Sequence, residues 1–590
     1  MQLLNYLLLL LLFLLACQPA SDPGLDFLLT PHEEDETRNT TASHAQAVDF
    51  YEQLAAAYPS RFSLQEAGMT DSGFPLLYGT LSNEGILSAA EARAAEKIVL
   101  FVNNAIHAGE PCGVDATMRL VRDYLQLPED YPFPDEVVLV FIPMYSIGGV
   151  LNRGRDSRAN QNGPAEHGFR GNARNLDLNR DFIKCDSRNA RSFNRLFSDW
   201  QPEVFIDNHT SNGADYQYTL TLIATQHNKL SAPLANYLKA DMLPHFYQDL
   251  PVRGWDLTPY VYVQTTPDDG IYGFLDLPRY SSGYAALHHS IGFMPETHMF
   301  KPFKDRSESV YQFMQSTVNL VARDREKIQA VREEAIAQDR AADSLALNWV
   351  SDSRRSDTIQ FKGYEAKQKP SEITGQDRLY YDRNAPYTKP IPLFDYYQAT
   401  TMVDRPLAYV IPYAWGEVIE RLENNGVIME ELVSDTTLEV QQYYIDNYES
   451  RSRPYEGHYL HYNVQVRTVT REVTYRAGDY LVYTDQPAVR YIVETLEPQA
   501  PDSYFAWNFF DGILQQKEYF SSYVFEDIAL DLLNSDPEMA AELAAAKAAD
   551  PELAANAYEQ LLFIYRRSEY YEPTHNLYPV GRVINSLRSL

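Results

Sequence analysis

Lys97-Ile98-Val99-Leu100-Phe101-Val102-Asn103-Asn104-Ala105-Ile106-His107-Ala108-Gly109-Glu110-Pro111 is the stretch on which the reading of this 590-residue chain turns. Ile98 to Val102 is an unbroken apolar, β-branched run, which predicts a strand buried on both faces of a sheet. Pro111 is well placed to open the helix that carries Met118, Leu120 and Val121. His107 and Glu110 therefore fall where a strand ends. In open α/β sheets ligands collect at that edge, and an imidazole with a carboxylate three residues on is a common beginning of a catalytic zinc site. Taken alone, the pair reads more simply as a helix-entry histidine with a capping glutamate.

Three further segments change that balance. Val204-Phe205-Ile206-Asp207-Asn208-His209 again runs from a short apolar strand into a histidine, and His209 is a third candidate ligand or a hydrogen-bonded core histidine. Asn175-Leu176-Asp177-Leu178-Asn179-Arg180-Asp181 lies between the two, behind a stretch rich in Arg and Asn from Asn152 to Arg174. Glu296 follows the apolar run Ile291-Gly292-Phe293-Met294. In order and spacing these segments resemble the zinc carboxypeptidase family of the carboxypeptidase A and B type, over about residues 45 to 330, including an entry segment from Phe50 to Thr80.

The resemblance implies an α/β fold, a mixed central sheet flanked by helices, with one Zn²⁺ per chain on His107, Glu110 and His209. Two imidazoles and a carboxylate leave the metal acidic enough to polarise a peptide carbonyl and to bring water towards a pKa of about 7. Glu296 maps onto the family's general base, a carboxylate in a partly desolvated pocket. Asn179 and Arg180 map onto the anchor for a substrate's terminal carboxylate, for which a planar guanidinium and a directional amide are suited. Asp177 is expected to orient a ligating histidine. For the arginine that stabilises the oxyanion, Arg158 is the first choice and Arg170 the alternative. For the tyrosine that closes over substrate, Tyr280 is preferred to Tyr284, and side-chain preference is expected to reside between Tyr280 and Glu296. The implied activity is hydrolysis of the last peptide bond of peptide or protein C-termini. Two other readings stand beside it: an amidase acting on cell-wall peptides, and a lipoprotein that binds peptides without cutting them.

Composition agrees with a multi-part enzyme: the chain is 45% hydrophobic and 13% aromatic, ample for cores. A formal charge of −31 with no concentrated basic segment excludes a nucleic-acid partner. Leu7 to Leu15 is apolar and ends in Leu14-Leu15-Ala16-Cys17, which resembles a bacterial lipoprotein signal, although Lys and Arg are missing ahead of it. The implied location is the bacterial cell envelope after export, periplasm-facing or surface, tethered to a membrane through a lipidated Cys17. No propeptide is evident. Cys112 and Cys185 flank the motifs and are candidates for one disulfide.

The expected division is a signal over 1–17, a polar spacer over 18–44, a catalytic domain over 45–348, a linker over 349–390 and a smaller α+β accessory domain over 391–590. Val310, Phe313, Met314, Val318, Val321, Ile328 and Val331 predict one long helix from Glu308 to about Leu347 that closes the catalytic domain. Beyond it, Leu407 to Pro412, Val464 to Thr470 and Asp479 to Thr484 read as strands, Glu417 to Glu423 as a helix, and Ala540 to Ile564 as helices parted at Asp550-Pro551. No ligand cluster is visible in that half, whose role is expected to be structural or substrate-selecting.

Overall fold

A computed structural model describes residues 25–585; Cys17 and the apolar run before it lie outside the described residues. The central sheet is built from β1 (Phe62–Met69), β2 (Pro75–Leu81), β3 (Ile98–Asn103), β4 (Val137–Ile142), β5 (Val204–Asp207), β6 (His209–Ser211), β7 (Leu220–Ala224) and β8 (Leu257–Pro259). After a short β9 (Ile271–Tyr272) outside this sheet, β10 (Ile291–His298) completes it. The strand order is β1-β2-β4-β3-β5-β10-β7-β8, with β6 beside β10. β3 runs parallel to β4 and β5, while β2 and β7 pair antiparallel with β4 and β10, so the sheet is mixed. From β3 the chain crosses one way to β4 and the other way to β5. This reversal opens a crevice at the carboxyl ends of β3 and β5, where His107 and His209 follow.

The unbroken apolar run of β3 has a direct cause. Ile98, Leu100 and Val102 face one core, with the helices His44–Ala57, Cys112–Gln126 and Phe303–Arg323. Val99 and Phe101 face a second core, and this one continues into the C-terminal half through Tyr409, Tyr491 and Trp507. The helix Arg188–Trp200 stands between the two halves, its Phe193 and Phe197 packed against Tyr284.

Several expectations need correction. The stretch 349–390 is not a linker: β11 (Ser344–Ser351), β12 (Asp357–Pro370) and β13 (Asp377–Phe394) occupy most of it, and the boundary at 391 falls inside a strand. β12 and β13 form a long hairpin that pairs with β9, and β11 pairs with β14 (Tyr397–Asp404). Within 18–44, the described part is not a free spacer. Arg122 pairs with Glu33 at 2.6 Å and donates to the Leu28 carbonyl, and Asp115 accepts from the Ala42 amide. The long helix is broken at Asp324, which ends Phe303–Arg323 and precedes Arg325–Ala341. Asp324 there accepts a hydrogen bond from the Tyr237 hydroxyl. Cys112 and Cys185 are both free and buried.

The C-terminal half carries a six-stranded sheet with the helices Gly416–Asn424 and Val489–Leu496, and four further helices between Ser522 and Tyr565. No helix among the described residues is long and apolar enough to cross a membrane. Because the second core is shared, a chain of residues 25–348 would uncover Tyr284 and His288, whose rings lie against Tyr491. That fragment is expected to aggregate, and a monomeric product with cooperative thermal unfolding, compared with residues 25–585, would refute the shared-core account.

Candidate active site

The loop that leaves β3 turns sharply. Ala105 takes φ +52°, a left-handed conformation uncommon for a residue with a Cβ, and sends His107 back over the sheet edge. Asn104 holds that turn from both sides, donating to the Ile142 carbonyl and accepting from Asn208 at 2.8 Å. His107, Glu110 and His209 are all buried, and one ligand atom from each lies within 4.8 Å of the others. Nδ1 of His107 is 3.2 Å from Glu110 Oε1, and Nδ1 of His209 is 3.2 Å from Glu110 Oε2. The opposite nitrogens are held by carboxylates: His107 Nε2 by Asp177 at 2.9 Å, and His209 Nε2 by Asp207 at 2.8 Å. Both rings therefore present Nδ1 to the same space, their orientation fixed from behind.

These residues fit a metal ion. Nδ1 of His107, though 3.2 Å from Glu110, is buried without an aligned hydrogen bond, a costly state for a ring nitrogen unless something binds it. Two imidazoles and one carboxylate are a catalytic zinc donor set with a coordination position left open.

Glu296 lies in β10, paired in register with His209 on β6, and is half-buried at the floor of the cleft. Burial raises its pKa; His209 opposes the shift and Glu110 adds to it, and the carboxyl titrates at about 7. For Asp177, burial acts in the raising direction, but His107 and Arg170 together hold the carboxyl well below the usual carboxylate range. Burial likewise opposes charge on His209, yet Asp207 and Glu110 hold its pKa well above the ordinary imidazole value.

Arg158 and Arg170 each use all three guanidinium nitrogens, and they separate by exposure. Arg158 packs over Gly109, where an added Cβ would sit 2.7 Å from Arg158 Cδ. It donates from Nε to Gln161, from Nη1 to Glu110 at 3.0 Å and from Nη2 to the Thr210 carbonyl at 3.1 Å, with its side chain 12% exposed. Arg170 pairs with Asp177 at 2.9 Å and reaches Glu110 at 3.4 Å, with its side chain 44% exposed to the cleft. Both guanidinium groups reach Glu110, and Arg170 is the more exposed of the two.

Asn179 accepts from the Ser281 amide through Oδ1, and Arg180 lies over the Tyr280 ring at 4.4 Å. Both line the same cleft of about 610 Å³ as His107, Glu110, His209 and Glu296. Tyr284 does not. It is fully buried and donates to Asn425, so of the two candidates Tyr280 is the one that lines the cleft. Of the stretch between Tyr280 and Glu296, the buried helix Ser281–Leu287 stays out of the cleft while Met294 joins its apolar wall. Ile223, Tyr260, Phe274 and Met294 form that wall, and the first three also line an adjoining apolar cavity of about 380 Å³.

Sequence reasoning missed Asp207, which stands two residues before His209 and also accepts from Asn103 at 3.0 Å. A carboxylate that close to a candidate ligand at a strand end was the available signal. Replacing Asp177 or Asp207 with Asn is expected to weaken metal binding about 10- to 100-fold while leaving the fold intact. Competition against a chelator measures this, and unchanged affinity in both variants would show that neither carboxylate supports its histidine.

Residues 47–269 match the family model of the zinc carboxypeptidases; this stretch holds His107, Glu110, Asn179, Arg180 and His209, while Glu296 lies beyond it. Carboxypeptidase 2 of Trichophyton tonsurans is 21% identical over 449 residues, spanning 73% of this chain and 77% of its own. Probable carboxypeptidase 2 of Arthroderma benhamiae is 20% identical over 449 residues, spanning 73% of this chain and 78% of its own. Among solved structures, a metallo-carboxypeptidase from Burkholderia cenocepacia aligns at 16% identity with a TM-score of 0.37, over 49% of this chain and 70% of the other.

Proposed function

Through residues 47–269 this chain belongs to the zinc carboxypeptidase family, and from that premise we propose that it is a metallocarboxypeptidase that releases the C-terminal residue of peptides. The observation that carries the reading is one cleft holding a buried His107, Glu110, His209 set together with Glu296 and the Asn179, Arg180, Tyr280 group. A carboxylate anchor beside a hydrolytic centre suits an exopeptidase, because the substrate must end there.

Arg180 and the Asn179 amide bind the terminal carboxylate, and Tyr280 covers it. His107, Glu110 and His209 would hold one zinc ion, which when bound would supply Lewis acidity for the scissile carbonyl and for water. Glu296 takes a proton from the attacking water as the new C–O bond forms and then gives it to the leaving amine as the peptide C–N bond breaks. The Arg170 guanidinium offsets the negative charge that develops on the carbonyl oxygen. Ile223, Tyr260, Phe274 and Met294 receive the side chain of the departing residue.

The test is amino acid release from a peptide panel by the described chain loaded with zinc. Glu296→Gln is expected to lower kcat by at least about 10³-fold with bound zinc unchanged. Wild-type activity should be lost as pH falls and Glu296 takes up its proton, with the acid limb of kcat/KM at or below about 7. Retained activity in the variant removes Glu296 from the mechanism. Release of ammonia or diaminopimelate in place of single C-terminal residues would move the assignment to an amidase.

The apolar wall generates a second expectation. Peptides ending in a large aliphatic or aromatic residue should be cut at least tenfold more efficiently than those ending in Asp, Glu, Lys or Arg, as one buried apolar group is worth roughly 1–3 kcal/mol. Equal kcat/KM across the panel would mean that this wall does not contact the terminal side chain.

A further inference from the structure

A tight turn from the C-terminal half, Tyr455-Glu456-Gly457-His458, reaches into the catalytic half at the anchor residues. Tyr455 and His458 exchange main-chain hydrogen bonds of 2.7 and 3.1 Å, and Glu456 and Gly457 have φ of +50° and +86°. Two consecutive positive φ angles are the pattern of a type I′ hairpin loop, in which Asn, Asp or Gly is the usual first residue. A glutamate is disfavoured there and persists only when its surroundings hold it.

Those surroundings are catalytic-domain groups. Glu456 Oε2 accepts the main-chain N–H of Asp177 at 2.8 Å, and His458 Nε2 lies 2.7 Å from Asp186 Oδ2. The Tyr455 hydroxyl accepts from Nε of Arg180 at 3.1 Å. Behind it, the Tyr455 ring stacks on Trp507, with Arg451 over it at 4.7 Å. Arg279, next to Tyr280 in sequence, is ion-paired with Asp502 at 2.9 Å beneath the same Trp507. Arg180 thus has Nε on Tyr455 and Nη1 on the Asn179 carbonyl at 2.7 Å, and its plane lies over Tyr280.

We propose that Tyr455 is a positioning residue of the substrate site: by occupying Nε of Arg180 it turns the Nη1/Nη2 edge of the guanidinium towards the substrate's terminal carboxylate. The C-terminal half thereby completes the carboxylate anchor. This inference rests on the carboxypeptidase reading of Arg180.

The experiment compares wild type and Tyr455→Phe in the full described chain, zinc-loaded, on one peptide that the wild type cleaves. Phenylalanine keeps the ring on Trp507 and removes only the hydroxyl. Steady-state kinetics are combined with competitive inhibition by the released amino acid, whose carboxylate occupies the same anchor. Loss of one hydrogen bond to a charged group should raise both KM and Ki on the order of tenfold, with kcat within about twofold and thermal unfolding and zinc content unchanged. Unchanged KM and Ki would overturn the inference, because Arg180 would then be held without Tyr455. A fall in kcat or in melting temperature with KM unchanged would overturn it as well, leaving only a structural role. If the wild type releases no C-terminal residue from any peptide, the carboxypeptidase reading fails and the inference fails with it.

Discussion

The hydrogen bonds from Asp177 and Asp207 to the Nε2 atoms of His107 and His209 are the interactions on which the site depends. A free imidazole can turn either nitrogen towards a neighbour. Two imidazoles each held by a carboxylate cannot, so both Nδ1 atoms stay on Glu110. Burying that many carboxylates is costly unless each meets donors. Glu110 meets Arg158 and the Thr210 amide, Asp177 meets Arg170 and the Asn179 amide, and Asp207 meets Asn103. The same contacts that make the charges tolerable fix the geometry. The switch of successive strands from one side of β3 to the other, β4 then β5, brings these loops to one crevice.

A second constraint explains why the chain continues well past the catalytic sheet. Every residue from Ile98 to Asn103 is buried, so both faces of β3 must be covered. Helices of the first half lie on both faces, with Phe193 and Phe197 of Arg188–Trp200 against Phe101 on the second. The other core runs without a break into Tyr409, Tyr491 and Trp507. On the far side of the cleft the β12–β13 hairpin is tied to the loop after β6 by the ion pair of Arg383 with Asp215 at 2.6 Å. Asp357, Ile359, Gln360, Leu393 and Asp395 line the apolar cavity that adjoins the cleft, so the later half cannot be treated as an appendage.

The parts of this arrangement legible in the sequence were those encoded locally. An apolar run of a few residues followed by His107 and Glu110, or by His209, carries both the strand and the ligand in one segment, and Asp177-Leu178-Asn179-Arg180 is compact enough to read as a unit. Asp207 was passed over, although it lies in the same segment as His209, because a strand-end aspartate has many ordinary uses. The hairpin over 357–394 was read as a linker because its strands are half-exposed and rich in Lys, Asp and Tyr, without the alternation that marks a strand buried on one face. The turn at Tyr455 had no signal at all. Its partners, Asp177 and Arg180, lie more than 270 positions away in sequence, and only the folded chain brings them together. Arg158 and Arg170 are chemically identical in a sequence, and only the fold shows that Arg170 is the more exposed of the two.

The chain's net charge of −31 says little about what enters the cleft. Charges farther away than about 8–10 Å are largely screened at physiological salt, so the groups lining the cleft decide. There Arg158, Arg170 and Arg180 gather. Arg158 is consumed by Glu110, Gln161 and Thr210, and Arg170 is shared between Asp177 and Glu110. Arg180 is the least committed, with Asp177 at 3.9 Å and a phenol rather than a carboxylate on its Nε. A neutral acceptor orients a guanidinium without cancelling its charge. Arg180 therefore retains the electrostatic capacity to bind an incoming carboxylate, inside a protein whose overall field would repel one.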